Sequence, residues 1–237
     1  MANEVVYTTL RAYNKKLFFP ERHIKRLLDS AERAKIIHSE SPREILKKCV
    51  SMVSENPFGN AVLRIELSAT GLSVSVKKLE KFPDEIYSAG VKVSVVNYER
   101  PSPDAKLNNN FLKQIVEKKK TEGFFETLLM DRSGFVTEGA SSNFFMVKNN
   151  ELITPEEKIL RGITRGIIIE LAEEEMNVVH RRIKKEELFE ADEIFITGTV
   201  KEVVPVIEVD GHKIGLGLPG NVSKLLLKKF RKFAFSF

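Results

Sequence analysis

The chain has 237 residues, of which 42% are apolar and 30% charged, and 38 basic against 33 acidic side chains give a net charge of +5. A chain of this length can bury one large or two small cores, and it contains no apolar run of about eighteen residues that could span a membrane. The single Cys49 excludes an internal disulfide, and the opening segment MANEVVYTTL lacks the pattern of a signal peptide. We therefore expect a cytoplasmic protein.

The basic excess lies mainly in Lys118–Lys120 and in the C-terminal segment from Lys224 to Lys232. Such runs are typical of solvated helix faces, and they would also attract a small anionic substrate. The sequence carries no nucleic-acid-binding motif, and its four histidines have no metal-ligand spacing. We therefore expect neither nucleic acid nor a metal as a partner. The high charged fraction, without tryptophan, is typical of a thermophile.

The first part of the chain alternates predicted strands and helices. Apolar stripes at helical spacing follow two prolines, and alternating apolar residues predict the strands. In chain order, the sequence predicts a strand over 4–14, a helix from Pro20, a helix over Pro42–Glu55, a hairpin of 61–68 and 72–78, and a strand over 91–96.

The proline-rich segment NYERPSPDA, residues 97–105, predicts a linker or an ordered loop. We place a small N-terminal domain at 1–98, an interdomain loop at 99–105 and a larger domain at 106–237. The larger domain is predicted to contain helices over 108–121 and Thr164–Glu175, several strands, and a final helix from Val222. Because no regular βαβ rhythm appears, the sequence predicts a two-domain α+β fold.

Two short segments carry residues that suit an anionic cofactor. In HIKRLLDS, residues 23–30, Arg26 lies on a predicted helix and could grip a phosphate, or it could simply be solvated. In GFVTEGASSN, residues 134–143, Glu138 could be an ordinary turn carboxylate. It could also pair with a protonated pyridine nitrogen and keep the ring electron-poor.

Two later segments have the form of anion sites. LRGITR, residues 160–165, starts a helix whose N–H groups and Thr164 hydroxyl could bind a phosphate or form an ordinary helix start. TGTVKEVVP, residues 197–205, follows a strand and could present N–H groups to an anion, or be a plain turn. Each segment alone allows both interpretations.

Together and in this order, these segments resemble the class IV aminotransferase family, the pyridoxal-phosphate enzymes of fold type IV. The resemblance runs from about Tyr7 to Phe230, and EGASSN, LRGITR and TGTVKEVVPV are its specific parts. It implies that Lys106, which precedes Glu138 by 138 − 106 = 32 residues, attaches the cofactor through its amine and then transfers a proton.

The same resemblance implies roles for the remaining site residues. Arg26 would bind the cofactor phosphate, Glu138 would pair with the pyridine nitrogen, and Leu160 would pack on the ring face. Phosphate contacts would come from Ile163, Thr164 and Thr199, and substrate contacts from Arg64 and Val200. The resemblance also implies a homodimer.

The reaction itself is less narrowly specified. Thr8–Thr9, Lys201 and the 32-residue spacing resemble 4-amino-4-deoxychorismate lyase, which releases pyruvate and p-aminobenzoate for folate synthesis. In such a lyase Thr9 would assist proton delivery beside Lys106. Asn110–Phe111 and Arg64 instead resemble branched-chain aminotransferases. We expect the lyase, with an L-amino-acid aminotransferase and a D-amino-acid aminotransferase as alternatives. The short start of the chain and the short segment after Arg64 add a fourth possibility, a non-catalytic relative that binds the cofactor.

Overall fold

A computed structural model describes residues 4–237, so residues 1–3 of the opening segment lie outside the described residues. The chain forms two compact units. Unit 1 comprises residues up to Lys81 together with 102–108 and 233–237, and unit 2 comprises 82–101 and 109–232. Among residues 4–237, none of the helices combines the length and apolar character that a bilayer crossing requires.

Unit 1 is built on a four-stranded antiparallel sheet of order β2-β1-β3-β4. Its elements are β1 (Val6–Tyr13), β2 (Lys16–Leu17), α1 (Pro20–Arg33), α2 (Pro42–Glu55), β3 (Ala61–Ser68) and β4 (Gly71–Lys78). Both helices begin at a proline, which fits the first turn because its missing N–H would have no partner there. Buried apolar residues alternate along β3 and share one core with the apolar stripes of both helices.

Unit 2 contains a ten-stranded mixed sheet of order β10-β9-β8-β12-β13-β5-β6-β7-β11, with β14 paired to β13. Its first elements are α3 (Glu85–Ser88), β5 (Val91–Asn97), α4 (Asn110–Thr121), β6 (Glu126–Met130), β7 (Phe135–Gly139), β8 (Asn143–Lys148) and β9 (Glu151–Thr154). They are followed by α5 (Ile163–Glu173), β10 (Asn177–His180), β11 (Ile183–Lys184), a 3-10 helix (Lys185–Glu190), β12 (Glu193–Gly198), β13 (Glu202–Val209), β14 (His212–Lys213) and α6 (Asn221–Ser236), whose residues from 233 onward belong to unit 1. Apolar residues of β5, β8, β12 and β13 form its core.

The α+β class predicted from the sequence is confirmed. The two units differ from the predicted domain ranges. Residues 233–237 group with unit 1, and the predicted interdomain loop 99–105 divides after residue 101 between the two units. Residues 82–98 group with unit 2, because β5 pairs in parallel with both β6 and β13. Lys106 groups with unit 1, because its backbone lies against β1.

Candidate active site

Lys106 lies on a segment of backbone that is hydrogen-bonded to the edge of strand β1. The Tyr7 N–H donates to the Lys106 carbonyl at 2.9 Å, and the Asn108 N–H donates to the Val5 carbonyl at 3.0 Å. The Lys106 N–H donates to the Ser30 hydroxyl of α1 at 3.2 Å. The backbone of Lys106 is therefore held on both sides, by β1 and by α1.

The ring of Tyr7 is the aromatic surface beside the Lys106 amine. Lys106 Nζ lies 5.0 Å from the ring centroid, and Arg64 Cζ lies 3.7 Å from it. Arg64 is held in place because its Nη2 donates to Asn108 Oδ1 at 2.9 Å. Thr9, the residue expected to assist Lys106, is partly exposed and pairs with Arg64 in the register of β1 and β3.

Arg26 is held by a buried polar network. Its Nη2 donates to the Thr8 hydroxyl at 2.9 Å, and Thr8 Oγ1 lies 2.9 Å from His23 Nδ1. Thr8 and His23 are buried, with exposed fractions of 0% and 1%. Because the Thr8 oxygen accepts from the guanidinium, its own hydrogen is available to Nδ1 of a neutral imidazole. The network fixes the guanidinium that the sequence predicts to bind a phosphate.

His23 should make unit 1 sensitive to acid. Burial, followed by the positive charges of Arg26 and Lys106, holds the pKa of His23 well below its usual value of 6.5. Below pH 6.5 the unfolded chain therefore takes up a proton that the folded chain does not, and stability falls as the pH falls. We expect His23 to contribute a loss on the order of 1 kcal/mol between pH 7.5 and 5.5.

Urea unfolding of the wild type and of His23→Gln at the two pH values measures this contribution. The wild type should lose more stability than the variant on acidification. Replacing the exposed His212 by glutamine is the matched control and should leave the wild-type difference unchanged. Equal losses in the wild type and in His23→Gln would contradict the expectation.

Glu138, at the end of β7, is a buried carboxylate with an exposed fraction of 2%. Its Oε1 accepts from Arg100 Nε at 2.7 Å, and its Oε2 accepts from the Leu160 N–H at 3.0 Å and from the Asn143 amide at 3.4 Å. Arg100 also donates to the Ala140 carbonyl at 2.6 Å. Because a buried carboxylate needs an opposite charge, Arg100 both balances and orients it.

The start of helix α5 is open to an anion. Its N-cap, Gly162, offers no side-chain acceptor to the N–H groups of the first turn, which include those of Ile163 and Thr164. A Cβ on Gly162 would lie 2.1 Å from Asn143 Oδ1, so this close approach requires glycine. Asn143 Nδ2 donates to the Leu160 carbonyl at 2.8 Å and thereby fixes the residues that precede the helix.

Thr199, Val200 and Lys201 form the turn between β12 and β13, where Gly198 pairs with Glu202. All three turn residues are partly exposed. A turn of this kind can present the Thr199 hydroxyl and the Val200 backbone to an anion, as the sequence predicts.

The predicted site residues fall into two sets, which we describe separately. Unit 1 contains Thr9, Arg26, Arg64 and Lys106, whereas unit 2 contains Glu138, Leu160, Ile163, Thr164, Thr199 and Val200. The structure adds residues to which the sequence analysis gave no role in the site, namely Tyr7, His23, Arg100 and Asn143. His23 and Asn143 lie inside the segments HIKRLLDS and GFVTEGASSN, whereas Tyr7 and Arg100 lie outside the four segments singled out for an anionic cofactor.

The model of the family described as amino-transferase class IV matches residues 5–209. This chain belongs to the class IV aminotransferases. A Methanocaldococcus jannaschii protein with the provisional name branched-chain-amino-acid aminotransferase is 33% identical over 246 residues, which covers 95% of this chain and 85% of that protein.

Solved structures of class IV aminotransferases have the same fold. The Escherichia coli branched-chain amino acid aminotransferase superposes with a TM-score of 0.91 at 28% identity and covers 98% of this chain and 86% of its own. The branched-chain aminotransferase of the thermophilic archaeon Thermoproteus uzoniensis, solved with norvaline, gives a TM-score of 0.89 at 25% identity, covering 98% and 86% of the two chains. Another similar branched-chain amino acid aminotransferase was solved with pyridoxamine 5'-phosphate.

Class IV aminotransferases use pyridoxal phosphate, so this chain is a pyridoxal-phosphate-dependent enzyme. When bound, the cofactor supplies an electron sink for a carbanion at the substrate α-carbon. The chemistry of the side chains fits this group. Lys106 offers an amine, Arg26 and the start of α5 offer donors to a phosphate, and Glu138 offers a buried carboxylate to a pyridine nitrogen.

Proposed function

We propose that this enzyme transfers the amino group of a branched-chain L-amino acid to a 2-oxo acid. The observation that carries the proposal is the likeness, over nearly the whole chain, to proteins named as branched-chain aminotransferases. Arg64 and Asn110–Phe111, which resemble that group in sequence, agree with it.

Each predicted site residue except Thr9, whose predicted role belongs to the lyase, has a proposed task in this reaction. Lys106 holds the cofactor and moves the α-proton of the substrate, and the fixed backbone supports this role by limiting where its amine can reach. Arg26, Ile163, Thr164 and Thr199 bind the phosphate. Glu138 binds the pyridine nitrogen, and Leu160 packs on the ring. Val200 and Arg64 bind the substrate, and the Arg64–Asn108 bond keeps Arg64 in place.

The lyase activity expected from the sequence is not supported by these relatives. Three sequence features favoured the lyase, and for two of them the structure shows contacts that do not depend on lyase chemistry. Thr8, the first threonine of the pair, is buried and bonded to Arg26 and His23. Lys201 is paired with the buried Glu126. The third feature, the 32-residue spacing, is shared with D-amino-acid aminotransferases and does not single out the lyase.

Product analysis with the pyridoxal-phosphate-loaded protein tests the proposal. With L-leucine and 2-oxoglutarate we expect L-glutamate and the branched-chain 2-oxo acid, and we expect D-leucine to react at least about 100-fold more slowly. Release of p-aminobenzoate from 4-amino-4-deoxychorismate would restore the lyase. Preference for D-leucine would indicate a D-amino-acid aminotransferase. A loaded protein that turns over none of these substrates would be a non-catalytic relative.

We also propose, from the family resemblance, that the enzyme is a homodimer in the cytoplasm. Light scattering of the purified protein, which gives its mass in solution, tests the dimer. A mass near 26.9 kDa, that of a single chain, would contradict it.

A further inference from the structure

Lys201 makes a nearly buried ion pair within unit 2. Its Nζ lies 2.7 Å from Glu126 Oε2, and the side chains are exposed by only 12% and 1%. The same amine donates to the Ser141 hydroxyl at 2.9 Å. Neither the fold nor the proposed chemistry by itself requires a charged pair at this place, and removing two charges from water is unfavourable.

The Glu126 carboxylate accepts several hydrogen bonds. Its Oε2 also accepts from the hydroxyls of Ser141 at 2.6 Å and Ser142 at 3.0 Å, and its Oε1 accepts from the Thr127 N–H at 3.0 Å. The carboxylate therefore has a fixed orientation. Burial opposes its charge, but Lys201 and these hydrogen bonds together hold the pKa of Glu126 below its ordinary value.

Through Ser141, the Lys201–Glu126 pair links two turns that the family resemblance places at the cofactor. Lys201 is the last residue of the β12–β13 turn, which contains Thr199 and Val200. Ser141 and Ser142 lie in the segment between β7, which ends just after Glu138, and β8. The lysine stem also lies over Gly198, where a Cβ would approach Lys201 Cγ to 3.3 Å.

We propose that Lys201 is a positioning residue, which ties the Thr199–Val200 turn to Glu126 and Ser141 and so fixes it for an anionic phosphate. The proposal rests on the proposed function, because it takes Thr199 as a phosphate ligand. Without the tie, the turn is held by its two strands. The anchor matters because the turn must present the Thr199 hydroxyl at a set position. A displaced hydroxyl would weaken the contact with the phosphate without unfolding the two strands.

The test compares how tightly the purified apoenzyme binds pyridoxal phosphate and pyridoxal, which lacks the phosphate. In Lys201→Met we expect pyridoxal phosphate to bind about tenfold more weakly, which corresponds to losing one hydrogen bond to a charged group. Pyridoxal should change by less than about twofold, because its ring contacts are elsewhere. Lys201→Arg should restore most of the loss.

Lys201→Met leaves Glu126 buried without a cation and could prevent folding. Lys201→Met combined with Glu126→Gln removes both charges and the tie, and should show the same selective loss of pyridoxal phosphate. Thr199→Val added to Lys201→Met should weaken binding by less than the product of the two single losses, because both act on one contact. Lys185→Met, which breaks the more exposed pair with Asp210, is the matched control and should bind both ligands normally.

Equal weakening of pyridoxal and pyridoxal phosphate would overturn the proposal, because it would indicate a general structural loss. Normal pyridoxal phosphate binding by the double variant would also overturn it. Failure of the proposed function looks different, because the wild-type protein would then bind pyridoxal phosphate but would not convert L-leucine and 2-oxoglutarate, whatever the Lys201 variants show.

Discussion

Replacing Lys106 by alanine should abolish covalent attachment of pyridoxal phosphate and lower kcat by about 10⁴-fold or more, because we propose the same amine as both anchor and base. The fold should be little affected. The Lys106 side chain is partly exposed, and the bonds of its backbone to Tyr7 and Ser30 do not depend on it. Borohydride reduction of the loaded wild type, followed by peptide mass spectrometry, should find the cofactor on Lys106.

Lys113, on the exposed face of α4, provides the control for this experiment. Lys113→Ala should retain the visible absorbance of the bound cofactor, and its kcat should stay within about twofold of the wild type. Cofactor recovered on another lysine, or normal absorbance in Lys106→Ala, would show that the anchor has been misassigned.

Glu138→Gln should lower kcat by about 10²- to 10³-fold and weaken cofactor binding much less. Glutamine keeps the shape and an acceptor oxygen, but it lacks the charge that holds a pyridine nitrogen protonated. The change also leaves Arg100 without its counter-charge, which we expect to lower the free energy of unfolding by about 1–3 kcal/mol. Steady-state kinetics, cofactor titration and urea unfolding measure these three effects separately.

Glu156→Gln is the matched control for Glu138→Gln. It removes the same charge from an exposed glutamate that lies outside the hydrogen bonds of Glu138. It should leave kcat and cofactor binding unchanged. A Glu138→Gln enzyme whose kcat and cofactor affinity fall by the same factor would argue that the carboxylate only binds the cofactor. An unchanged kcat would remove Glu138 from the chemistry altogether.

Most of the elements were predictable because their signals are local. The helix predicted over Pro42–Glu55 has those bounds in the structure, since its start is marked by Ser41, Pro42 and a capping glutamate. The hairpin of β3 and β4 followed from alternating apolar residues around Gly71. The pairing of β5 with β6 and β13 was not predictable, because strand partners far apart in sequence are chosen by packing.

The candidate site was predictable only where residues stand in short ordered segments. Arg26, Glu138 and Thr164 belong to such segments, and Lys106 followed from its spacing to Glu138 and from family resemblance. The residues that hydrogen-bond to these site residues were not predictable in this way, because they come from distant parts of the chain. Arg100 and Glu138 are 38 positions apart, and Lys201 and Glu126 are 75 apart. Lys201 contributed to the expectation of a lyase, because sequence alone did not reveal its buried partner Glu126.

The attachment of the Lys106 segment to β1 also bears on how the chain avoids self-association. An uncovered strand edge is a template for pairing with another molecule. The bonds between Tyr7 and Lys106 and between Val5 and Asn108 occupy this part of the β1 edge. The segment that carries Lys106 therefore also blocks this stretch of the β1 edge against pairing with another chain.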